Sequence, residues 1–191
     1  MQDKDKDKFL VERFQQGDNE AFDELVRKYQ NKIYELAYRF THNVEDALDL
    51  SQEIFLRAFK SLGGFKGESN FYTWLYRIAQ NLCIDYTRHK KVSLKTVAFP
   101  ADTSSPKYVL TGATYISPDK LVEAKELENA IARAIDMLPS RKRSVFILRY
   151  YEGLDLKSIA EILGCRVGTV KAHLSYGRRM LKKMLSPYLG K

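Results

Sequence analysis

Residues 155–174 read Asp155-Leu-Lys-Ser-Ile-Ala-Glu-Ile-Leu-Gly-Cys-Arg-Val-Gly-Thr-Val-Lys-Ala-His-Leu174, two short amphipathic stretches divided at Gly164. Helices that cross closely need a small residue at the crossing, and Ala160 supplies one. The turn between them needs a residue that tolerates positive φ, and Gly164 does so with no Cβ to clash. Ile159, Leu163, Cys165, Val170 and Leu174 are spaced to form a shared core. The pattern is that of a helix-turn-helix. His173 stands where an apolar residue is usual.

The charge that follows is lopsided. From Cys165 onward come Arg166, Lys171, Arg178, Arg179, Lys182, Lys183 and Lys191, with no Asp or Glu. Val170, Leu174, Gly177, Leu181 and Leu185 form the apolar stripe of this last helix. Lys171, Ala172, Ser175, Tyr176, Arg178 and Arg179 therefore point outward, as a helix entering a major groove requires. A basic face on an ordinary solvated helix is the bland alternative. The turn chemistry beside it favours DNA binding.

Working outward, the chain has 191 residues and a formal net charge of +8, a balance that favours polyanionic partners. With 45% hydrophobic residues it can build a folded core. Cys83 and Cys165 lie far apart in apolar surroundings, which predicts buried thiols in a reducing cytoplasm rather than a disulfide framework. His42, His89 and His173 form no metal-ligand spacing with them, so no metal or cofactor is expected. The Asp/Lys alternation from Asp3 to Lys8 is unlike a signal peptide, and no apolar run is long enough to span a bilayer. A cytoplasmic protein without membrane insertion is expected.

Two helical blocks are predicted. In the first, Asp18 reads as the N-cap of a helix carrying Phe22, Leu25, Val26, Tyr29, Ile33, Leu36, Ala37 and Phe40 at three- and four-residue steps. Asn43 can cap a second helix ending near Gly63-Gly64, and Ser69 a third running through Leu75, Ile78, Ala79, Leu82 and Tyr86. From Val92 to Asp119, Pro100, Pro106, Gly112 and Pro118 break helical periodicity. That stretch reads as a flexible linker, with a short ordered piece expected around Tyr108–Leu110. Ser117-Pro118 opens the second block as an N-cap and first helical position. Its helices are read at 118–137, 141–151, 156–163 and roughly 168–185. The expected fold is all-α: domain 1–91, linker 92–119, and domain 120–191 with the helix-turn-helix.

Residues 65–91 mix Phe65, Phe71, Tyr72, Trp74, Tyr76 and Tyr86 with Lys66, Arg77, Arg88, Lys90 and Lys91. A single-stranded DNA site uses such a mixture, because bases stack on rings and phosphates pair with cations. Trp74, Phe71, Leu75 and Ile78 fit a packed face. Tyr72, Tyr76, Arg77, Gln80 and Asn81 are better placed to reach DNA.

Three stretches together resemble a family. Asp46-Ala-Leu-Asp-Leu-Ser-Gln-Glu-Ile-Phe-Leu-Arg-Ala-Phe59 is similar to the polymerase-binding segment of bacterial RNA polymerase sigma factors. Phe71-Tyr-Thr-Trp-Leu-Tyr-Arg-Ile-Ala-Gln-Asn-Leu-Cys-Ile-Asp85 resembles their F-x-x-W-L-x-x-I-A-x-N-x-x-x-D stretch. Val167-Gly-Thr-Val-Lys-Ala-His-Leu-Ser-Tyr-Gly-Arg-Arg179 resembles their recognition helix. Order and spacing match across both blocks, and the lack of further domains between and before them points to the small extracytoplasmic-function (ECF) group, associated with stress responses.

The resemblance implies a non-enzymatic subunit that binds core RNA polymerase and directs it to promoters. The first domain would hold the β′ clamp helices through Asp46, Asp49, Gln52, Glu53 and Arg57, which share one polar face. It would also read the −10 element through Glu68, Ser69, Asn70, Tyr72, Tyr76, Arg77, Asn81 and Arg88. The loop 63–70 resembles the one that receives a flipped base. The second domain would lean on the β flap and read the −35 element. Lys171, Ala172, Ser175 and Tyr176 would lie near base edges, with Thr169 and His173 in the same surface, and Arg149, Arg178 and Arg179 on phosphates. An anti-sigma factor is expected as a further partner. Leu48 departs from the family, which often carries an acid there, and arginines are frequent where His173 and Tyr176 stand. A helix-turn-helix regulator that needs no polymerase is the alternative. A metal-dependent nuclease built on the acids between Glu45 and Glu53 fits less well, because those acids share one helix.

Overall fold

The computed structural model describes residues 3–93 and 118–189. These form α1 (Asp3–Gln15), α2 (Glu20–Thr41), α3 (Val44–Leu62), α4 (Phe71–Ser93), α5 (Pro118–Asp136), α6 (Ser140–Tyr150), α7 (Leu156–Ile162), α8 (Val167–Met184) and α9 (Ser186–Leu189). No strand occurs among the described residues, as expected for an all-α chain. None of the described helices is long and apolar enough to cross a membrane. Most of the expected linker, with the ordered piece around Tyr108–Leu110 and the Ser117 cap, lies outside the described residues. The chain divides into two compact units, with α1–α4 in the first and α5, α6 and α8 in the second.

The first unit is built around α2, which packs on α1, α3 and α4. Its predicted stripe, apart from the half-buried Val26, is its core: Leu25, Ile33, Leu36 and Ala37 are wholly buried, and Phe22, Tyr29 and Phe40 nearly so. Each such large side chain contributes roughly 1.5–3 kcal/mol by leaving water. The helix α1 is an addition to the sequence reading. It inserts Leu10 and Val11 into the core. Lys28 Nζ and the Tyr29 hydroxyl both donate to its buried Asp7, at 2.6 and 2.5 Å.

Two caps fall one residue later than expected. Asp18 lies outside α2, whose N-cap is Asn19. The Asp18 carboxylate still accepts from the Glu20 N–H at 3.0 Å and pairs with Arg13. The cap of α4 is Asn70 rather than Ser69, since Asn70 Oδ1 accepts from the Thr73 N–H at 2.8 Å. Asn43 caps α3 as predicted, accepting from the Asp46 N–H at 2.9 Å.

In the second unit, α8 packs on α5 and α6. Ala134, Ile135, Leu138 and Leu181 form a buried cluster there. The closest approach is at Gly177, where an added Cβ would stand 3.0 Å from Phe146 Cδ2. Asp155 opens α7 by accepting from the Lys157 and Ser158 N–H groups at 2.8 and 2.9 Å. The Ser158 bonds are the main reason its carboxyl is held below the usual carboxylate range. Gly164 has φ +59°, the left-handed turn the sequence predicts. Ile159, Ala160, Val170 and Leu174 are buried. Leu163 and Cys165, expected in the same core, are only half-buried, whereas Cys83 is fully buried.

Candidate polymerase and nucleic-acid surfaces

The outward face of α3 carries Asp49 and Gln52 exposed, with Glu53 half-exposed and bonded to Arg57 Nε at 2.6 Å. Asp46 departs from this set. Its Oδ2 accepts from the Tyr86 hydroxyl at 2.6 Å and from Lys90 Nζ at 3.3 Å, so it ties α3 to α4. Burial, and then the bond to Asp46, raises the Tyr86 hydroxyl above the ordinary phenol value.

Beside this polar face runs a groove of about 740 Å³ between α2 and α3, lined by Phe22, Val26, Tyr34, Leu48, Phe55, Leu56 and Phe59. Leu48, Leu56 and Phe59 are 48%, 48% and 41% exposed. Single exposed apolar residues need no explanation, but a contiguous strip marks a binding surface. Leu48, which stands where the family often carries an acid, belongs to this apolar strip. A signal was present: the apolar residues of 44–62 cover too wide an arc for one buried stripe.

On α4, Arg77, Asn81 and Arg88 are exposed along one edge, with Arg88 3.5 Å from Asp85. Tyr76 does not join them. It is 0% exposed, so its ring cannot receive a base without the core opening, and Gln80 is buried as well. Tyr72 is half-buried, 4.3 Å from Tyr76 between ring centroids and 6.0 Å from Tyr29. Lys32 Nζ lies 5.9 Å from the Tyr72 ring. Sequence spacing could not find Lys32, because it reaches the site from another helix. Trp74 packs between Phe65 and Phe71, at 5.1 and 5.7 Å. In the adjoining loop Glu68 is exposed and Ser69 half-buried, while the Asn70 amide oxygen is engaged by its capping bond.

On α8, Val170, Leu174, Gly177 and Leu181 are buried as predicted. Thr169, Lys171, Ala172, Ser175, Arg178 and Arg179 are exposed. Arg178 Nε donates to the Tyr150 hydroxyl at 2.7 Å. Arg149 is half-buried and donates to the Leu154 carbonyl at 2.8 Å, stapling the turn after α6. Tyr176 departs from the outward face. It packs half-buried against the α5–α8 cluster, with Lys142 Nζ 3.8 Å from its ring centroid. His173 shares that flank. Burial, with Lys142 and Arg141 adding repulsion, keeps its imidazole below the ordinary histidine value. Lys142 was missed in the sequence because it precedes the helix-turn-helix by a whole helix.

Residues 25–92 match sigma-70 region 2, and residues 128–181 match sigma-70 region 4. The chain is 38% identical over 192 residues to the RNA polymerase sigma-H factor of Pseudomonas aeruginosa, covering 99% of this chain and 98% of that one. It is 40% identical over 176 residues to the ECF RNA polymerase sigma factor SigW of Bacillus subtilis, covering 92% and 94%. Its fold is similar to CnrH, solved with the cytosolic domain of CnrY, at TM-score 0.68 and 22% identity over 95% of this chain and 98% of that one. It is also similar to the sigma factor RpoE of Bartonella quintana, solved with the anti-sigma factor NepR, at TM-score 0.65 and 20% identity over 86% and 96%.

Proposed function

The chain belongs to the ECF group of sigma-70 factors, which direct RNA polymerase to promoters, and on that premise we propose how its residues divide the work. The outward face of α3, with Asp49, Gln52, Glu53 and Arg57 beside the Leu48–Leu56–Phe59 groove, docks on the β′ clamp helices. Mixed charge around an apolar centre is the usual build of a protein interface. The edge of α4 carrying Arg77, Asn81 and Arg88, with Tyr72 and Lys32 and the loop 67–70, holds the −10 strand. Unstacked bases meet a ring and a polar loop there, while phosphates meet cations.

On α8, Thr169, Lys171, Ala172 and Ser175 read the −35 major groove, and Arg178 and Arg179 hold its phosphates. The observation that carries this division is that α8 is free of acids whereas α3 is not. An anti-sigma factor competes for the α2–α3 groove, where apolar side chains stand exposed. Transcription in vitro with purified core polymerase, followed by sequencing of transcript starts, tests the whole scheme. Promoter-specific starts that depend on this chain are expected. Starts unchanged by its omission would refute it.

A further inference from the structure

Two cations flank the Tyr176 ring, and a third stands near Lys142. Lys142 Nζ stands 3.8 Å from its centroid and the Arg179 guanidinium carbon 5.8 Å. His173 lies three residues before Tyr176 on α8, and Arg141 and Lys142 are near enough to disfavour its protonation. Among the described residues no acid pairs with Arg141, Lys142 or Arg179. Residues 140–151 and 165–191 contain no Asp or Glu. Asp136, which lies before α6, is engaged by Arg143 at 2.7 Å. Like charges held together without a counter-ion raise the energy of the free protein. An arriving anion would relieve that repulsion.

We propose that Lys142, one helix before the helix-turn-helix, is a DNA phosphate contact of the second unit, with Tyr176 as the positioning residue that aims it along the flank of the recognition face. This rests on the reading of α8 as the −35 element's reader. Tyr176 is fixed by its packing on the α5–α8 cluster, so its ring is a stable platform for the ammonium. A single cation–π contact at a half-buried site is weak and does little for the fold. What it does is narrow the directions a flexible lysine can take. The ammonium is thus held on the flank of α8 beside its exposed groove-reading side chains, where the backbone of a bound duplex would pass.

The test uses holoenzyme assembled from core polymerase and the full chain, with a −35 duplex enriched from a random pool by the wild type and a scrambled duplex of equal length. Lys142→Gln should weaken both duplexes alike and lower the salt slope by about one. Equivalently, its affinity should change about threefold less than that of the wild type between 50 and 200 mM salt. Lys142→Arg and Tyr176→Phe should keep the slope, and the unfolding midpoint of Lys142→Gln should not move. Arg178→Gln serves as the reference. If it lowers the slope and Lys142→Gln does not, the Lys142 contact is wrong and the −35 reading stands. If neither lowers it, both are wrong.

Discussion

In the first unit several acids and cations pair with one another; in the second, the cations of α8, with Arg141 and Lys142 of α6, have no ion pair among the described residues. Arg13 holds Asp18 and Glu24, Lys28 holds Asp7, Lys90 holds Asp46, and Arg57 holds Glu53. On α8, Lys171, Arg179, Lys182 and Lys183 have no acidic partner among the described residues, and Arg178 has only a tyrosine hydroxyl. The difference teaches what each surface can bind. A face whose charges are already balanced gains little from a polyanion and must attract through shape, apolar contact and a few unsatisfied acids. A face of uncompensated cations gains from every phosphate it neutralises, and loses that gain as salt rises.

The comparison breaks most visibly at α3. Asp49→Lys with Glu53→Lys should abolish co-elution with core polymerase while leaving duplex binding by α8 intact. Charge-assisted hydrogen bonds are worth about 1.5–3 kcal/mol each, so losing two weakens binding about 100-fold or more. The Glu53–Arg57 pair is solvent-exposed, and its loss costs the fold only about 0.3–0.5 kcal/mol. Unchanged helical content with lost co-elution is the expected pair of results. Co-elution that survives reversal would move the docking site away from this face. Asp46→Asn sharpens the point. It should lower the melting temperature of the first unit, through the lost Tyr86 and Lys90 contacts, more than it weakens polymerase binding.

A smaller effect is expected on α4. Asn81→Ala should leave closed-complex formation normal and reduce opening of the −10 region about tenfold, the worth of roughly one hydrogen bond. Permanganate reactivity at −10 thymines reads it directly, and a pre-melted bubble template should restore transcription. Equal failure on duplex and bubble templates would make Asn81 a structural residue. Asn70 is a poor probe of base capture, since Asn70→Ala also removes the cap of α4 at a cost of about 1 kcal/mol. Asn70→Ser keeps a capping oxygen without adding charge and so isolates the question.

The helices were legible because their causes are local. Period and caps placed α2, α3, α6, α7 and α8 within a few residues, and the αL turn at Gly164 followed from the one residue type that adopts it freely. The family's signature stretches were equally plain. What the sequence hid is whatever depends on the neighbouring helix. Tyr76 looked like a base platform because spacing along α4 cannot say that α4 is covered on so wide an arc. Asp46 looked like a docking acid because Tyr86 and Lys90, which hold it, lie forty residues on. Lys142 and Lys32 each reach an aromatic ring on another helix, a pairing to which periodicity is blind.

Two glycines separate turn chemistry from packing. Gly164→Ala meets no atom within 4 Å, so its cost is backbone strain alone, about 1–2 kcal/mol for a Cβ at φ +59°. Gly177→Ala has the opposite character. Its φ is helical and alanine gains about 1 kcal/mol in propensity, but the Cβ crowds Phe146 at 3.0 Å, and overpacking costs about 1–3 kcal/mol. A small net loss is expected, removed by pairing it with Phe146→Leu. Thermal unfolding of the three variants checks both, and equal losses in the single variants would mean that Phe146 cannot yield.

The least of these effects concerns His173, and it bears on whether the cationic flank of α8 is truly uncompensated. Its imidazole faces Arg141 and Lys142 from α6 and is partly withdrawn from water, so the folded chain resists protonating it. The unfolded chain has no such resistance and takes up the proton near the ordinary histidine value of about 6.5. Unfolding is therefore accompanied by proton uptake in that range, and stability must fall as pH is lowered through it. The sign is that of any depressed group: its stabilisation is full above the unfolded value and is lost as pH descends toward the folded one. His173→Gln should flatten this part of the curve when unfolding is followed from about pH 7.5 down to 5. DNA should reverse the trend. A phosphate near the cluster favours the imidazolium, so holoenzyme binding to a −35 duplex should tighten as pH falls across the same range, and His173→Gln should abolish the tightening. If stability proves independent of His173 while binding still tightens, the proton is taken up elsewhere, and the flank is better compensated than its geometry implies.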